Sequence, residues 1–212
     1  MIPELGHFAL ILALCVTLIQ GVLPLLGAQQ GRREWLVLAR PATQISFLLL
    51  AISFGVLAWC FYVNDFSVLY VAEHSNSQLP TVYRLGAVWG GHEGSLLLWA
   101  WLLSTYSAVM VFQNRRKFRD MMPYVTAVLM TVEGFFLVLI SFVLPVFQTL
   151  NLGKGIVAAE NGQGLNPLLQ YWTMVIHPPM LYLGFVSFVI PYAFAMAALI
   201  TGRTDDRWIR LT

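Results

Sequence analysis

The chain has 212 residues, 58% of them hydrophobic and 10% charged, with a formal net charge of +2. Soluble domains carry about 25% charged residues and are about half apolar. This composition, with a mean hydropathy of +0.73, therefore excludes a water-soluble domain, and the absence of a basic groove or aromatic–basic interleaving speaks against nucleic acid as a partner.

Five segments in chain order are long and apolar enough to cross a hydrocarbon core of about 30 Å. They cover about 5–27, 42–63, 95–113, 121–146 and 178–201. The first is preceded by Glu4 and followed by no small-residue cleavage site, so it reads as a retained helix that embraces His7 rather than a signal peptide. The fold class expected is all-α: one polytopic membrane helix bundle over 1–212, in contact with lipid, with no repeat and no linker. Two long connections, about 64–94 and 147–177, contain aromatics, prolines and aliphatics rather than charge runs, which favours order over disorder. The stretch GLNPLLQYWTMVIH (164–177) is apolar enough to lie in the membrane interface. Pro191 inside the fifth span predicts a kink.

Basic residues are distributed unevenly over the connections. Arg32, Arg33, Arg40, Arg115, Arg116, Lys117, Arg119, Arg203, Arg207 and Arg210 share one side, and only Arg84 and Lys154 fall on the other. The positive-inside rule puts the basic side in the cytoplasm. The expected location is a bacterial inner membrane, with the N-terminus periplasmic and the C-terminus cytoplasmic. All four histidines, His7, His74, His92 and His177, then lie at the outer face. Cys15 and Cys60 stand in apolar runs with no CxxC or CxxCH, and read as small buried fillers.

Chemistry is expected at that outer face. His92 and Glu93 sit among Gly90, Gly91 and Gly94, directly before Ser95 and the third span. Glycines there allow a sharp turn or the close approach of a flat ligand. The pair could cap the helix, line a ligand site, or supply a neutral imidazole to a metal. His177 precedes Pro178-Pro179, and the residue before proline is pushed toward extended backbone. That predicts a histidine held on a stiff corner, the rigid placement an axial metal ligand needs. Trp89, Trp99, Trp101, Tyr171, Trp172 and Tyr182 collect near the outer boundary, either as an interfacial belt or as a platform for a porphyrin. Glu133, mid-span in MTVEGFF, is expensive in a membrane. It reads as a proton relay, a partner of Arg84 or a hydroxyl, or a protonated carboxyl bonded to a neighbouring helix.

Three stretches carry a resemblance: VNDFSVLYVAEHSNSQLPTVYRLGAVWGGHEGSLLLW (63–99), GLNPLLQ (164–170) and HPPMLYLGFV (177–186). In order and spacing they resemble the N-terminal part of the CcmF family of membrane haem lyases, and the similarity runs to about Arg210. The resemblance implies that the chain handles haem. In that family, haem comes from the chaperone CcmE and is joined through its vinyl groups to the CxxCH cysteines of an apocytochrome c, in company with thiol-handling partners. It further implies that His177 is a haem-iron ligand. Trp89, Gly90, Gly91, His92, Glu93, Trp172 and Tyr182 would line the site. No acid, base or nucleophile is evident, so the catalytic set is empty and the task is positioning. The family's tryptophan-rich WWD segment and its further haem-ligating histidines lie beyond the matching region. The expectation is therefore a fragment, a split product or one subunit of a lyase, needing the WWD-bearing part to act. The rival expectations are a transporter, suggested by Glu133, the kinked fifth span and the glycine-rich helix breaks, and a structural assembly subunit without haem contact.

Overall fold

The computed structural model describes residues 1–114, 118, 120–149 and 160–203. Eight α-helices are described: α1 (Ile2–Gln30), α2 (Arg33–Val63), α3 (Leu69–His74), α4 (Thr81–Gly86), α5 (His92–Gln113), α6 (Met122–Val138), α7 (Trp172–Ser187) and α8 (Val189–Thr201). A 3₁₀ turn, Ala87–Trp89, leads from α4 toward α5, and a π turn, Leu139–Val143, extends α6. Five stretches are long and apolar enough to span a membrane: Ile2–Gln30, Val37–Val63, His92–Gln113, Met122–Val143 and Trp172–Thr201. The protein is a multi-pass all-α bundle.

The helix ends follow local chemistry. Gly31 closes α1 in the left-handed region (φ 68°), and the Arg32 amide reaches back to the Gly27 carbonyl at 2.9 Å. Asn64 (φ 54°) does the same for α2, with the Asp65 amide on the Cys60 carbonyl at 2.9 Å. Gly202 (φ 66°) ends α8, with the Arg203 amide on the Ala198 carbonyl at 3.0 Å. Glycine and asparagine are the residues that tolerate this backbone at least cost.

The apolar stretches are apolar on all sides, so amphipathic periodicity cannot say which face meets protein. Tertiary packing decides it. α1, α2 and α6 meet along buried Ala13, Thr17, Ser46, Leu50 and Glu133, while Phe8, Ile11, Leu18, Ile19, Leu48 and Ile52 face outward. One core cluster gathers Leu10, Leu57, Phe61, Tyr70, Val88, Leu97 and Phe147 at the loop-bearing end. A second joins Leu103, Met110, Met121, Leu129, Met130 and Phe194 between α5, α6 and α8.

The two long connections form one ordered layer where they are described. The Leu69 amide donates to the Gln148 carbonyl (2.8 Å), Gln163 to Ala72 (2.7 Å) and Gly164 to Ser75 (3.1 Å). The Ser77 amide donates to Asn161 Oδ1 (2.8 Å). Asn64 Oδ1 accepts from Ser75 Oγ at 2.9 Å, tying the end of α2 to the same layer. At the opposite end Arg203 and Asp120 form an ion pair of 3.5 Å. Of the residues in the charge argument, Arg115, Arg116, Lys117, Arg119, Lys154, Arg207 and Arg210 lie outside the described residues.

Four expectations need correction. His177 is not on an extended corner: α7 starts at Trp172 and runs through Pro178 and Pro179. The carbonyl that Pro179 cannot serve, that of Val175, accepts instead from the Trp89 indole N–H at 3.0 Å, which lessens the usual cost of proline inside a helix. Cys15 is exposed on the outer surface of α1, and only Cys60 is buried. Arg84 does not pair with Glu133; its guanidinium donates to the Tyr62 carbonyl (2.9 Å) in the last turn of α2 and to Leu79 (3.0 Å), a favourable place for a cation. Glu133 Oε1 accepts from Thr17 Oγ1 (3.1 Å) and Ser46 Oγ (2.5 Å) instead. Neither His92 nor Glu93 caps α5, because Gly91 occupies the cap position and no side chain bonds there. Near Pro191 the fifth span is interrupted at Phe188, between α7 and α8, with Phe188 still in right-handed helical backbone.

Candidate functional site

An open cavity of about 520 Å³ lies in the layer formed by the connections, at the ends of α5 and α7. α5 contributes its first turn. The helix begins at His92, a full turn earlier than its apolar run, because Ser95 is not a cap: its hydroxyl bonds back to the Gly91 carbonyl and to that of Trp89 (3.2 Å). Gly94 permits this start, since a Cβ there would stand 1.7 Å from the Val88 carbonyl oxygen. The cavity wall thus receives the positive end of a 22-residue helix, with Glu93 in its first turn, where an acidic side chain is favoured.

Tyr70 fixes this corner from below. Its phenol donates to the Val88 carbonyl (3.1 Å) and accepts from the Gly91 amide (3.0 Å). Burial pushes the phenol well above its ordinary pKa, so it stays a donor across the physiological range. His74 leans on the Tyr70 ring, centroids 4.5 Å apart. Its Nδ1 lies 3.0 Å from the Tyr70 carbonyl. A carbonyl can only accept, so Nδ1 is the donor in this contact and Nε2 is the other ring nitrogen. That nitrogen lies beside Gly91, where a Cβ would approach it to 2.7 Å.

The far wall comes from α7 and the 160s connection. Met174, Pro178 and Tyr182 recur every fourth residue on one face of α7, and Leu165 and Leu169 stand beside them. Of the residues expected at a site, Trp89, Gly90, Gly91, His92, Glu93 and Tyr182 line this cavity together. Trp172 and His177 do not. Trp172 is 58% exposed at the start of α7, and His177 lies on the outward face of the same helix. One turn beyond His177 stand the exposed Met180 and Leu181, and near Gly184 there is open space. Residues that sequence reasoning passed over are His74, Met174 and Pro178. The spacing of Met174, Pro178 and Tyr182 would have revealed the last two had the helix been started at Trp172. Nothing in the sequence singled out His74. Among the described residues no three of His, Cys, Asp and Glu converge as a bare metal ion would require.

Residues 89–209 match the family model described as "Cytochrome C assembly protein". The chain belongs to this family. The matched span begins at the Trp89 corner and takes in α5 through α8. The chain is similar to the cytochrome c-type biogenesis protein CcmF of Pseudomonas aeruginosa, 49% identical over 99% of this chain and 31% of that protein. It is similar to CcmF of Escherichia coli at 40% identity, over 100% of this chain and 32% of that protein. The cytochrome c-type biogenesis protein NrfE of Haemophilus influenzae is 38% identical over 94% of this chain and 31% of its own length. A solved structure titled "Cytochrome c Heme Lyase CcmF" superposes with a TM-score of 0.80 and 32% identity, over 96% of this chain and 31% of that one. The chain therefore spans about a third of the length of the relatives it matches.

Proposed function

We propose that this chain forms one wall of a cytochrome c haem lyase and positions haem for thioether attachment to the CxxCH cysteines of an apocytochrome c. The observation that carries the reading is the outer end of α5 and α7. There the family-matched segment sets an exposed histidine, His177, on a helix whose inner face closes a cavity with the HEG turn. Haem is the substrate here and supplies the iron and the vinyl carbons that accept the thiols.

The residues fit one face of such a substrate. His177 presents an imidazole with apolar Met180 and Leu181 a turn away and no side chain at Gly184 to obstruct a flat ring. A single histidine is sufficient on one side of a haem iron but leaves the other axial position to another donor. We assign that donor to the WWD-bearing part of the lyase. The cavity behind α7, with Trp89, Gly90, Gly91, His92, Glu93 and Tyr182 on its walls, supports α7 from inside, so these residues act on the substrate through the helix they hold. Trp172 stands at the rim. None of these side chains performs acid, base or nucleophilic work in this reading. The contribution is orientation, holding the vinyl carbons where a thiol can approach.

Delivery by CcmE and release to thiol-handling partners belong to the same reading, as does an inner-membrane location with the connection layer in the periplasm. The ten-to-two split of basic residues supports that orientation. The test is haem content of the chain reconstituted with the remaining lyase part and haem-loaded CcmE. His177→Ala should abolish capture at unchanged protein level, and His92→Ala should lower it less. Full haem content in both variants would overturn the reading in favour of a structural assembly subunit.

A further inference from the structure

Two independent contacts converge on one residue of α7. The Trp89 indole N–H donates to the Val175 carbonyl at 3.0 Å. Gly86, three residues earlier, lies so close that a Cβ on it would stand 2.9 Å from Val175 Cγ2. Both partners belong to the short α4 and 3₁₀ segment that precedes the HEG turn. The Val175 carbonyl is available because its ordinary partner four residues on would be the amide of Pro179, which has none.

A helix advances about 100° per residue, so His177 lies about 200° around the axis from Val175. Holding Val175 against Gly86 and Trp89 therefore turns His177 nearly the opposite way. The burial pattern agrees: Val175 lines the inner cavity, and His177 is exposed on the far side.

We propose that Trp89 is a positioning residue: by replacing the hydrogen bond that Pro179 removes from Val175, its indole N–H fixes the rotation of α7 and so the outward aim of His177. This rests on the reading of His177 as a haem ligand, but the clamp itself does not require haem to be present. The double proline has a definite role in it. Its second member, Pro179, frees the carbonyl two residues before the histidine, and the tryptophan of the preceding connection takes it.

The test is a suppressor cycle. Trp89→Phe keeps the ring and removes the donor. α7 stays attached, since Tyr106 OH also donates to the Leu183 carbonyl at 3.2 Å. Pro179→Ala restores an amide to Val175 inside the helix, so Trp89→Phe should be silent in that background. The first readout needs no haem. Nitroxides are placed at the exposed Val82→Cys and Met180→Cys in a detergent-solubilised chain carrying Cys15→Ser, and their distance distribution is measured. It should be narrow, broaden in Trp89→Phe, and narrow again in the Trp89→Phe/Pro179→Ala double variant. The second readout is haemin titration followed at the Soret band. Trp89→Phe should weaken binding about fivefold, the loss of one net hydrogen bond, and the double variant should match Pro179→Ala alone. A distance distribution unchanged by Trp89→Phe, or a broadening that Pro179→Ala does not reverse, overturns the clamp. If His177→Ala leaves haemin binding intact, the haem-ligand reading fails, and the nitroxide distances still decide whether the clamp exists.

Discussion

Tyr70 shows how much one side chain organises here. It is buried, donates to Val88, and accepts from Gly91 at the start of α5. Tyr70→Phe leaves a buried carbonyl and amide without their partner, which costs about 1–3 kcal/mol. Thermal unfolding in detergent should register that loss. The sign of the pH dependence follows from the raised phenol. The folded state holds its proton more tightly than the unfolded chain, so the stabilisation is complete below about pH 10, the ordinary tyrosine value, and fades as pH rises toward the folded value. An alkaline decline in stability that Tyr70→Phe abolishes is the expected result; equal declines in both proteins would refute the assignment. Glu133 gives a second residue-scale prediction. Both of its hydroxyl donors use Oε1, an oxygen that glutamine retains. Glu133→Gln should therefore unfold within about 1 kcal/mol of the parent, given that interhelical bonds in membranes average about 0.6 kcal/mol. Glu133→Ala adds a cavity and removes the acceptor that Thr17 and Ser46 share, leaving their hydroxyls only each other at 3.2 Å, and should cost about 2–4 kcal/mol.

Elements depend on how prolines are compensated. In α7 the double proline sits inside the helix because the Val175 carbonyl finds Trp89. At Pro191 the helix instead breaks at Phe188: the Ser187 carbonyl faces a proline at the fourth position on. Pro191→Ala supplies the missing amide and should make α7 and α8 continuous. Slower amide exchange across 187–192 would show it, and unchanged exchange there would mean that packing, rather than proline, sets the break. The expected ends of the spans 42–63 and 178–201 coincide with the left-handed Asn64 and Gly202, while the first span runs three residues past its expected end at 27, to Gln30 before Gly31. The start of α5 was not legible. Ser95 looks like a cap, yet its hydroxyl is spent on Gly91 and Trp89, and the true boundary is the glycine turn held by Tyr70.

For the whole molecule, the structure sets the connection layer at one end of the bundle and the Arg203–Asp120 pair at the other. Reporters fused after Gln113 and after Thr212 should therefore respond alike, and both as cytoplasmic if the basic residues orient the chain. A periplasmic signal from either would overturn that orientation. Cys15 and Cys60 have no partner in each other, one being exposed and the other buried. Replacing both by serine should leave cytochrome c maturation intact at normal protein level, and a loss of maturation would assign one of the thiols a role.

The sequence by itself determined the membrane class and the five spans, since hydropathy and length are properties of composition along the chain. It also drew attention to the HEG turn, through glycines beside ionisable groups at the mouth of an apolar run, and to Trp89 and Tyr182 through the aromatic cluster and the resemblance. Only the tertiary structure decided which faces of uniformly apolar helices meet, since no periodicity distinguishes protein from lipid when both are apolar. It alone turned Cys15 outward and directed Glu133 to Thr17 and Ser46 rather than to Arg84. It also placed His177 within a helix and away from the cavity its neighbours line. Local rules push the residue before a proline toward extended backbone. A hydrogen bond from a tryptophan 86 residues earlier in the chain supports the helix there instead, and no local rule contains that bond.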